Sequence, residues 1–226
     1  HSSQVYNDRL YLLGGASSIG GAPLNSVYYI KINSDGTLNN WIQTTSFTAS
    51  SGGTGKMTNG GNFATVWGGY IYISGGCSAV NGSGYCTNVD SDTQLASINA
   101  DGSLDNWNTD AAVVDPRMGQ NLIAWRNILY EIGGCTSQNT SSGECTGALD
   151  SIECSADENG DCGINQDGDA STVGSSSPSG TSPCSGGTPY SCDLPSTAVG
   201  NVLNETAIMN GYLYVMGGCT NNACTS

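Results

Sequence analysis

The side chains able to do chemistry in this chain are ten cysteines, nineteen carboxylates, five cations and one histidine. Ser–His–Asp and Cys–His catalysis both need a histidine to carry the proton, and the only one is His1. A zinc site would need paired Cys-x-x-Cys spacing or further histidines, and neither is present. A carboxylate pair for glycoside hydrolysis is compatible with so acidic a chain, but no two acids are singled out by spacing. The expectation is a protein without its own catalytic residues, without a metal and without a cofactor.

An even number of cysteines lacking metal spacing reads as disulfides, and disulfides place the chain in an oxidising compartment. Three cysteines directly follow a Gly-Gly pair, and each has a second a few residues on: Cys77 and Cys86, Cys135 and Cys145, Cys219 and Cys224. Where Ala16 stands after Gly-Gly instead, both cysteines are missing. Gain or loss as a pair predicts that each pair is one disulfide closing one loop. The other four, Cys154, Cys162, Cys184 and Cys192, all lie in the third repeat's insertions. Proximity pairs 154 with 162 and 184 with 192, and 154 with 192 and 162 with 184 is the alternative.

The cations are Arg9, Lys31, Lys56, Arg117 and Arg126, against a net charge of −14. Nucleic acids and anionic membrane surfaces both require clustered Lys and Arg, so neither is a partner. No apolar run is long enough to span a bilayer. The chain starts at His1 with no initiator Met and no leader, so processing or a longer parent polypeptide is expected. Lys56-Met57 and Arg117-Met118 hold corresponding slots in the pattern described next. Their cations either face a ligand's acidic group or pair with internal carboxylates.

The elements that must position these groups are written as a repeat. Arg9-Leu-Tyr-Leu-Leu-Gly-Gly15, Tyr70-Ile-Tyr-Ile-Ser-Gly-Gly76, Ile128-Leu-Tyr-Glu-Ile-Gly-Gly134 and Tyr212-Leu-Tyr-Val-Met-Gly-Gly218 share one pattern. Their Gly-Gly pairs stand 61, 58 and 84 residues apart, the spacing of an array of supersecondary units. Each copy follows a β-prone run and a short turn (Asn7-Asp8, Gly68-Gly69, Arg126-Asn127, Asn210-Gly211), which predicts a hairpin. A third run follows, as in Ser26–Ile32 and Thr93–Ile98. It leads into Ile32-Asn-Ser-Asp-Gly-Thr-Leu-Asn-Asn-Trp41 and Ile98-Asn-Ala-Asp-Gly-Ser-Leu-Asp-Asn-Trp107, where Asp-Gly turns and Trp anchors a fourth strand. The expected class is therefore all-β, built from four-stranded antiparallel units with an aromatic marker in each.

Leu-Tyr-x-x-Gly-Gly, a variable loop, Asn25-Ser-Val-Tyr-Tyr-Ile30 and Trp41 together resemble a kelch repeat, in the variant ending Ile-Asn-x-Asp-Gly-x-Leu-x-x-Trp found in bacteria. The resemblance covers nearly the whole chain and implies a β-propeller. Blade 1 would run from about 1 to 44, blade 2 from 60 to 110, blade 3 from 118 to 175, and the start of blade 4 from 200 to 226. The chain thus holds about three and a half blades, with further blades of the same polypeptide, or copies of the chain, completing the ring. The third repeat departs from the pattern. Ile164-Asn-Gln-Asp-Gly168 has no Trp after it, and within a Cys/Ser/Gly-rich insertion over 150–199 the Ser/Gly/Pro-rich stretch Ser171–Ser191 replaces the outer strand or extends the loop beyond it. A disordered or glycosylated loop is expected there. Galactose-oxidase-like enzymes share this fold but use histidine ligands and a Tyr–Cys crosslink, for which this chain lacks the histidines.

In such a unit the stapled loops 77–86, 135–145 and 219–224 open on one face, and loops on a rigid scaffold are where binding concentrates. The candidate contacts are Lys56, Asn81, Tyr85, Arg117, Asn139 and Glu144. Asn-x-Asp-Gly-x-x-Asn/Asp at 33–39 and 99–105, and Asp157–Asp161, also invite a calcium reading, but simple Asp-Gly turns explain the pattern. Asn81-Gly-Ser83, Asn139-Thr-Ser141 and Asn204-Glu-Thr206 are glycosylation sequons. Three functions are expected in this order. The first is an extracellular binding or adhesion module for a protein or glycan at the cell surface. The second is a subunit of an extracellular filament or appendage. The third is a carbohydrate-active enzyme with its catalytic residues outside this stretch.

Overall fold

The computed structural model describes residues 1–18, 20–49, 53–57, 61–110, 116–149, 151–154, 191–193 and 205–219. They form an all-β protein of antiparallel sheets. Among the described residues no helix is long and apolar enough to cross a membrane. The first sheet is a four-stranded meander of β1 (Ser2–Tyr6), β2 (Arg9–Leu13), β3 (Val27–Lys31) and β4 (Ile42–Thr44). The second uses β5 (Ala64–Trp67) and β6 (Tyr70–Ser74), then a separate two-stranded hairpin of β7 (Cys77–Val80) and β8 (Cys86–Val89). It is completed by β9 (Thr93–Ser97) and β10 (Asn108–Asp110), in the order β10-β9-β6-β5. The third joins β11 (Asn121–Trp125), β12 (Ile128–Ile132), β13 (Ser151–Cys154) and β14 (Ser191–Asp193). A last hairpin pairs β15 (Glu205–Met209) with β16 (Tyr212–Met216).

Each repeat opens with a two-residue hairpin whose two turn residues both have positive φ: Asn7 and Asp8, Gly68 and Gly69, Arg126 and Asn127, Asn210 and Gly211. That is the type I′ geometry matching the right-handed twist of the flanking strands. Arg126 adopts φ 51° there, with its guanidinium 4.4 Å from the centre of the Trp125 ring. The Gly-Gly pair serves a different end. A Cβ on Gly14 would lie 2.3 Å from the Lys56 carbonyl oxygen, and one on Gly75 would lie 2.5 Å from that of Arg117. Glycine is required because the segment entering the next sheet crosses the end of the strand at this distance.

The third repeat differs from expectation in its outer strand. That strand is not replaced: Ser191–Asp193 supplies it, with Cys192 opposite Ile152. The insertion therefore lies between the third and fourth strands of the sheet rather than after them, and the unit runs past 175 to 193. The sequence offered no Trp to mark that strand. The Ser/Gly/Pro-rich run itself, with Asp157–Asp161, Cys162 and Cys184, lies outside the described residues, as do Asn204 and Cys224.

The sheets stack through alternate faces. Tyr11, Leu13, Val27, Tyr29 and Phe47 of the first repeat meet Phe63, Ile71, Ile73, Ala96, Leu104 and Trp107 of the second. The second sheet's opposite face gives Tyr72 and Leu95 to Leu122 and Leu129 of the third. Strands of period two carry one apolar set to each side, so every sheet can be buried twice. The first strands of successive repeats adjoin. Asn62 and Asn121 form a parallel bridge, and the Gln4 side chain donates to the Ala64 carbonyl at 2.6 Å.

Candidate functional site

The loops between second and third strands come together at one end of the sheets. Cys77–Cys86 and Cys135–Cys145 are disulfides with Cα separations of 5.8 and 5.9 Å, as the paired occurrence predicted. Cys154 and Cys219 are also disulfide-bonded. The pairing among Cys154, Cys162, Cys184 and Cys192 stays as the sequence left it. Beneath the loops the sulfurs gather: Cys77, Cys86, Met118 and Cys135 are buried together, with Met57, Cys145 and Cys219 packed against them.

Both stapled loops close on the same tip. Asn81 N–H donates to the Tyr85 carbonyl, and Asn139 N–H to that of Glu144, at 2.9 and 2.8 Å. The Asn81 side-chain oxygen accepts from the amides of Ser83 and Tyr85 at 3.0 Å. That of Asn139 accepts from Ser141 and Ser142 at 2.8 and 3.1 Å. An asparagine opening such a turn replaces a backbone acceptor, so these two candidates shape the loops themselves.

The tips also lock to one another. Asn81 Nδ2 donates to the Thr140 carbonyl at 2.7 Å, and Gln138 Oε1 accepts from Cys86 N–H at 2.6 Å. The Tyr85 ring lies on Gly143, where a Cβ would fall 2.4 Å from a ring carbon. On the other side Gly20 of the unstapled first loop approaches Gly84 closely, a Cβ on Gly84 lying 3.0 Å from Gly20 N. Three loops thus form a continuous surface. Glu144 and Asn139 are exposed upon it, Tyr85 is half-buried, and Ser142 Oγ donates to Glu144 at 3.3 Å.

Lys56 and Arg117 are elsewhere. Both side chains are 0% exposed and lie beneath the loops at the sheet junctions. Lys56 Nζ donates to the Gly75 carbonyl at 2.8 Å, to Asp90 at 3.1 Å and to Asp92 at 2.5 Å. Arg117 donates to the Gly133 carbonyl at 3.1 Å and to Glu153, and its Nε lies 3.3 Å from Glu131. Of the two readings left open, internal carboxylates take these cations, and neither reaches the loop surface. Each also bridges two sheets through its backbone: Gly15 N–H donates to the Lys56 carbonyl, and Gly76 N–H to that of Arg117. The acids were missed by sequence reasoning, although Glu131 carried a signal. It occupies the slot held by Leu12, Ile73 and Val215 in the other repeats, where a charge must be paired if buried.

The Asp-Gly segments form turns capped from within. Thr37 donates both its amide and hydroxyl to Asp35, and Ser103 does the same to Asp101. These bonds hold both carboxyls below their usual range. Among the described residues no three Asp, Glu, Cys or His side chains gather where a metal ion would sit.

No family model matches the chain, and no curated protein does. Among solved structures it is similar to "Structure of YjhT", with 17% identity and a TM-score of 0.45 over 63% of this chain. The chain spans 39% of that protein's length.

Proposed function

We propose that this chain is a run of blades of an extracellular kelch-like β-propeller, and that its interlocked loop tips bind a protein or glycan at the cell surface without catalysis. The observation that carries the binding reading is the joining of loops into one fixed, polar surface: Asn81–Thr140, Gln138–Cys86 and Tyr85–Gly143 lock the two stapled loops together, and Gly20 against Gly84 adds the first loop. Ordering the loops beforehand lowers the entropy lost when a ligand docks. The disulfides fit an oxidising, non-cytoplasmic environment, and the secreted or surface location extends that reading.

The propeller reading draws on the repeated meander, the adjoining first strands and the two open faces. Leu38 and Trp41 of the first sheet are exposed, while their counterparts Leu104 and Trp107 are buried against the first sheet. Tyr214 and Met216 are exposed, while their counterparts Tyr11 and Leu13 are buried against the second sheet. Each open face therefore carries the residues of a buried face and suits a further sheet of the same kind. The same open faces favour the filament reading if copies of the chain supply those sheets.

The test is a glycan array and a cell-surface pull-down with the purified chain, alongside Glu144→Ala and Tyr85→Ala. The reading expects a ligand whose affinity falls at least tenfold in one of these variants with the circular dichroism spectrum unchanged. Binding that survives both substitutions, or no binding by either method, overturns it. Electron microscopy showing regular polymers of the chain would favour the filament instead.

A further inference from the structure

The junction between the second and third sheets holds more negative charge than this chain can neutralise. Asp90, Asp92, Glu131 and Glu153 meet there with only Lys56 and Arg117. No other cationic side chain is available. Arg9 donates to the carbonyls of Asn7, Ala100 and Asp101, Lys31 is exposed, and Arg126 stacks on Trp125. His1, the only histidine, lies against Gly15 in the first sheet. Every Lys, Arg and His of the chain is thereby placed, so the excess is two negative charges if all four acids are ionised.

The excess is not shared evenly. Lys56 spends its three protons on Gly75, Asp90 and Asp92. Asp90 also accepts from Ser78 at 2.8 Å, and Asp92, which is partly exposed, accepts from Gln94 at 2.7 Å. Glu153 accepts from Arg117 Nη2. Glu131 is fully buried; Arg117 Nε lies 3.3 Å from its Oε2 without hydrogen-bond geometry, and neither oxygen accepts a well-formed hydrogen bond. The Ser74 hydroxyl adjoins Glu131 but shares its hydrogen bond with Thr93. The Gln120 side-chain oxygen, next to the same strand end, is a second buried acceptor without a donor.

We infer that Glu131 is a neutral carboxylic acid in the folded protein at neutral pH, and that the proton it holds keeps the second and third sheets together. The proton removes one buried charge that the two cations do not balance, from a carboxyl whose oxygens accept no well-formed hydrogen bond. Burial drives the carboxyl above its usual range and the Asp92 charge adds to this, against the attraction of Arg117 and Lys56 and the contact with Ser74. A carboxyl so raised keeps its proton in the folded chain where the unfolded chain has lost it. Its contribution to stability is then complete below the usual carboxylate range and declines as pH rises toward the raised value.

The experiment is thermal and urea unfolding of the chain and of Glu131→Gln between pH 4 and pH 9, together with carbon NMR titration of the wild-type glutamate carboxyls. Glutamine mimics the neutral acid. The two proteins should match at pH 4, and the ratio of wild-type to variant unfolding constants should grow more than about a hundredfold by pH 9, because an unfolded glutamate has lost its proton well below pH 7 while this one still holds it. The NMR titration should show one glutamate still protonated at pH 7. Parallel stability curves, or a full set of glutamates titrating in the ordinary range, would overturn the inference. So would stabilisation at pH 8 by sodium or calcium ions that EDTA or the variant abolishes, since a metal ion would then hold the place assigned to the proton. Should the variant not fold, the NMR titration of the wild type decides alone.

Discussion

Ile32–Trp41 and Ile98–Trp107 make the same turn and meet opposite surroundings. In both, the first Asn donates through its side chain to the residue six positions on, at 2.9 and 3.0 Å. In both, Ile and Leu bridge across the turn and the Asp-Gly corner is capped by the next hydroxyl residue. Yet Leu104 and Trp107 are 4% and 9% exposed, whereas Leu38 and Trp41 are 54% and 44% exposed. The second copy lies on the first sheet. Trp107 donates to the Thr45 carbonyl at 2.9 Å and meets Phe47 edge-on, and Tyr11 donates to the Gly102 carbonyl at 3.0 Å. Local sequence therefore sets the turn, and the neighbour alone decides whether its anchor stabilises anything.

The largest effect should come from Trp107→Ala, which empties the anchor of the first junction. A loss of ~3–5 kcal/mol is expected in urea unfolding, as for other buried aromatic truncations. Tyr11→Phe should cost about 1 kcal/mol through the lost hydrogen bond to Gly102. Burial also pushes the Tyr11 hydroxyl up to about 12, despite Arg9 nearby. The folded chain thus keeps this proton where the unfolded chain loses it, so Tyr11 should make stability fall as pH climbs through the range above 10.0 toward 12. The phenylalanine variant should lack that part of the decline, and an ultraviolet titration should count one fewer late-ionising tyrosine.

Trp41→Ala should have the smallest effect, within ~0.5–1 kcal/mol, because a surface truncation leaves no cavity. Its use is to sharpen the contrast. In a polypeptide where another sheet covers the first face, the same substitution should cost as much as Trp107→Ala. Equal small losses at both positions would show that the anchor does not hold the junction at all.

Much of the fold was legible because it repeats. Gly-Gly pairs, two-residue hairpin turns and Asp-Gly corners require particular backbone angles, so those residues announce the strands between them. The paired gain and loss of cysteines likewise announced the disulfides at 77–86 and 135–145. What escaped was whatever lacked a local signature. The β7–β8 hairpin lies within the connection between the second and third strands and is stapled at its two first residues by Cys77–Cys86, and the strand at 191–193 joins its sheet across a long insertion with no Trp to mark it. At the site, Asn81, Tyr85, Asn139 and Glu144 were named for their position on stapled loops, but their interlocking depends on loops from different repeats. The destination of Lys56 and Arg117 was undecidable from spacing, since their partners lie up to 36 residues away.

By itself the sequence determined the strand-turn-strand units, their antiparallel order and the oxidised loops, because each depends on φ angles, alternation and covalent reach within a few tens of residues. Only the tertiary structure decided which faces are covered, where the two cations go and which carboxylates share them. Those outcomes depend on distances between repeats, and burial makes a charge costly only once a neighbouring sheet has displaced the water around it.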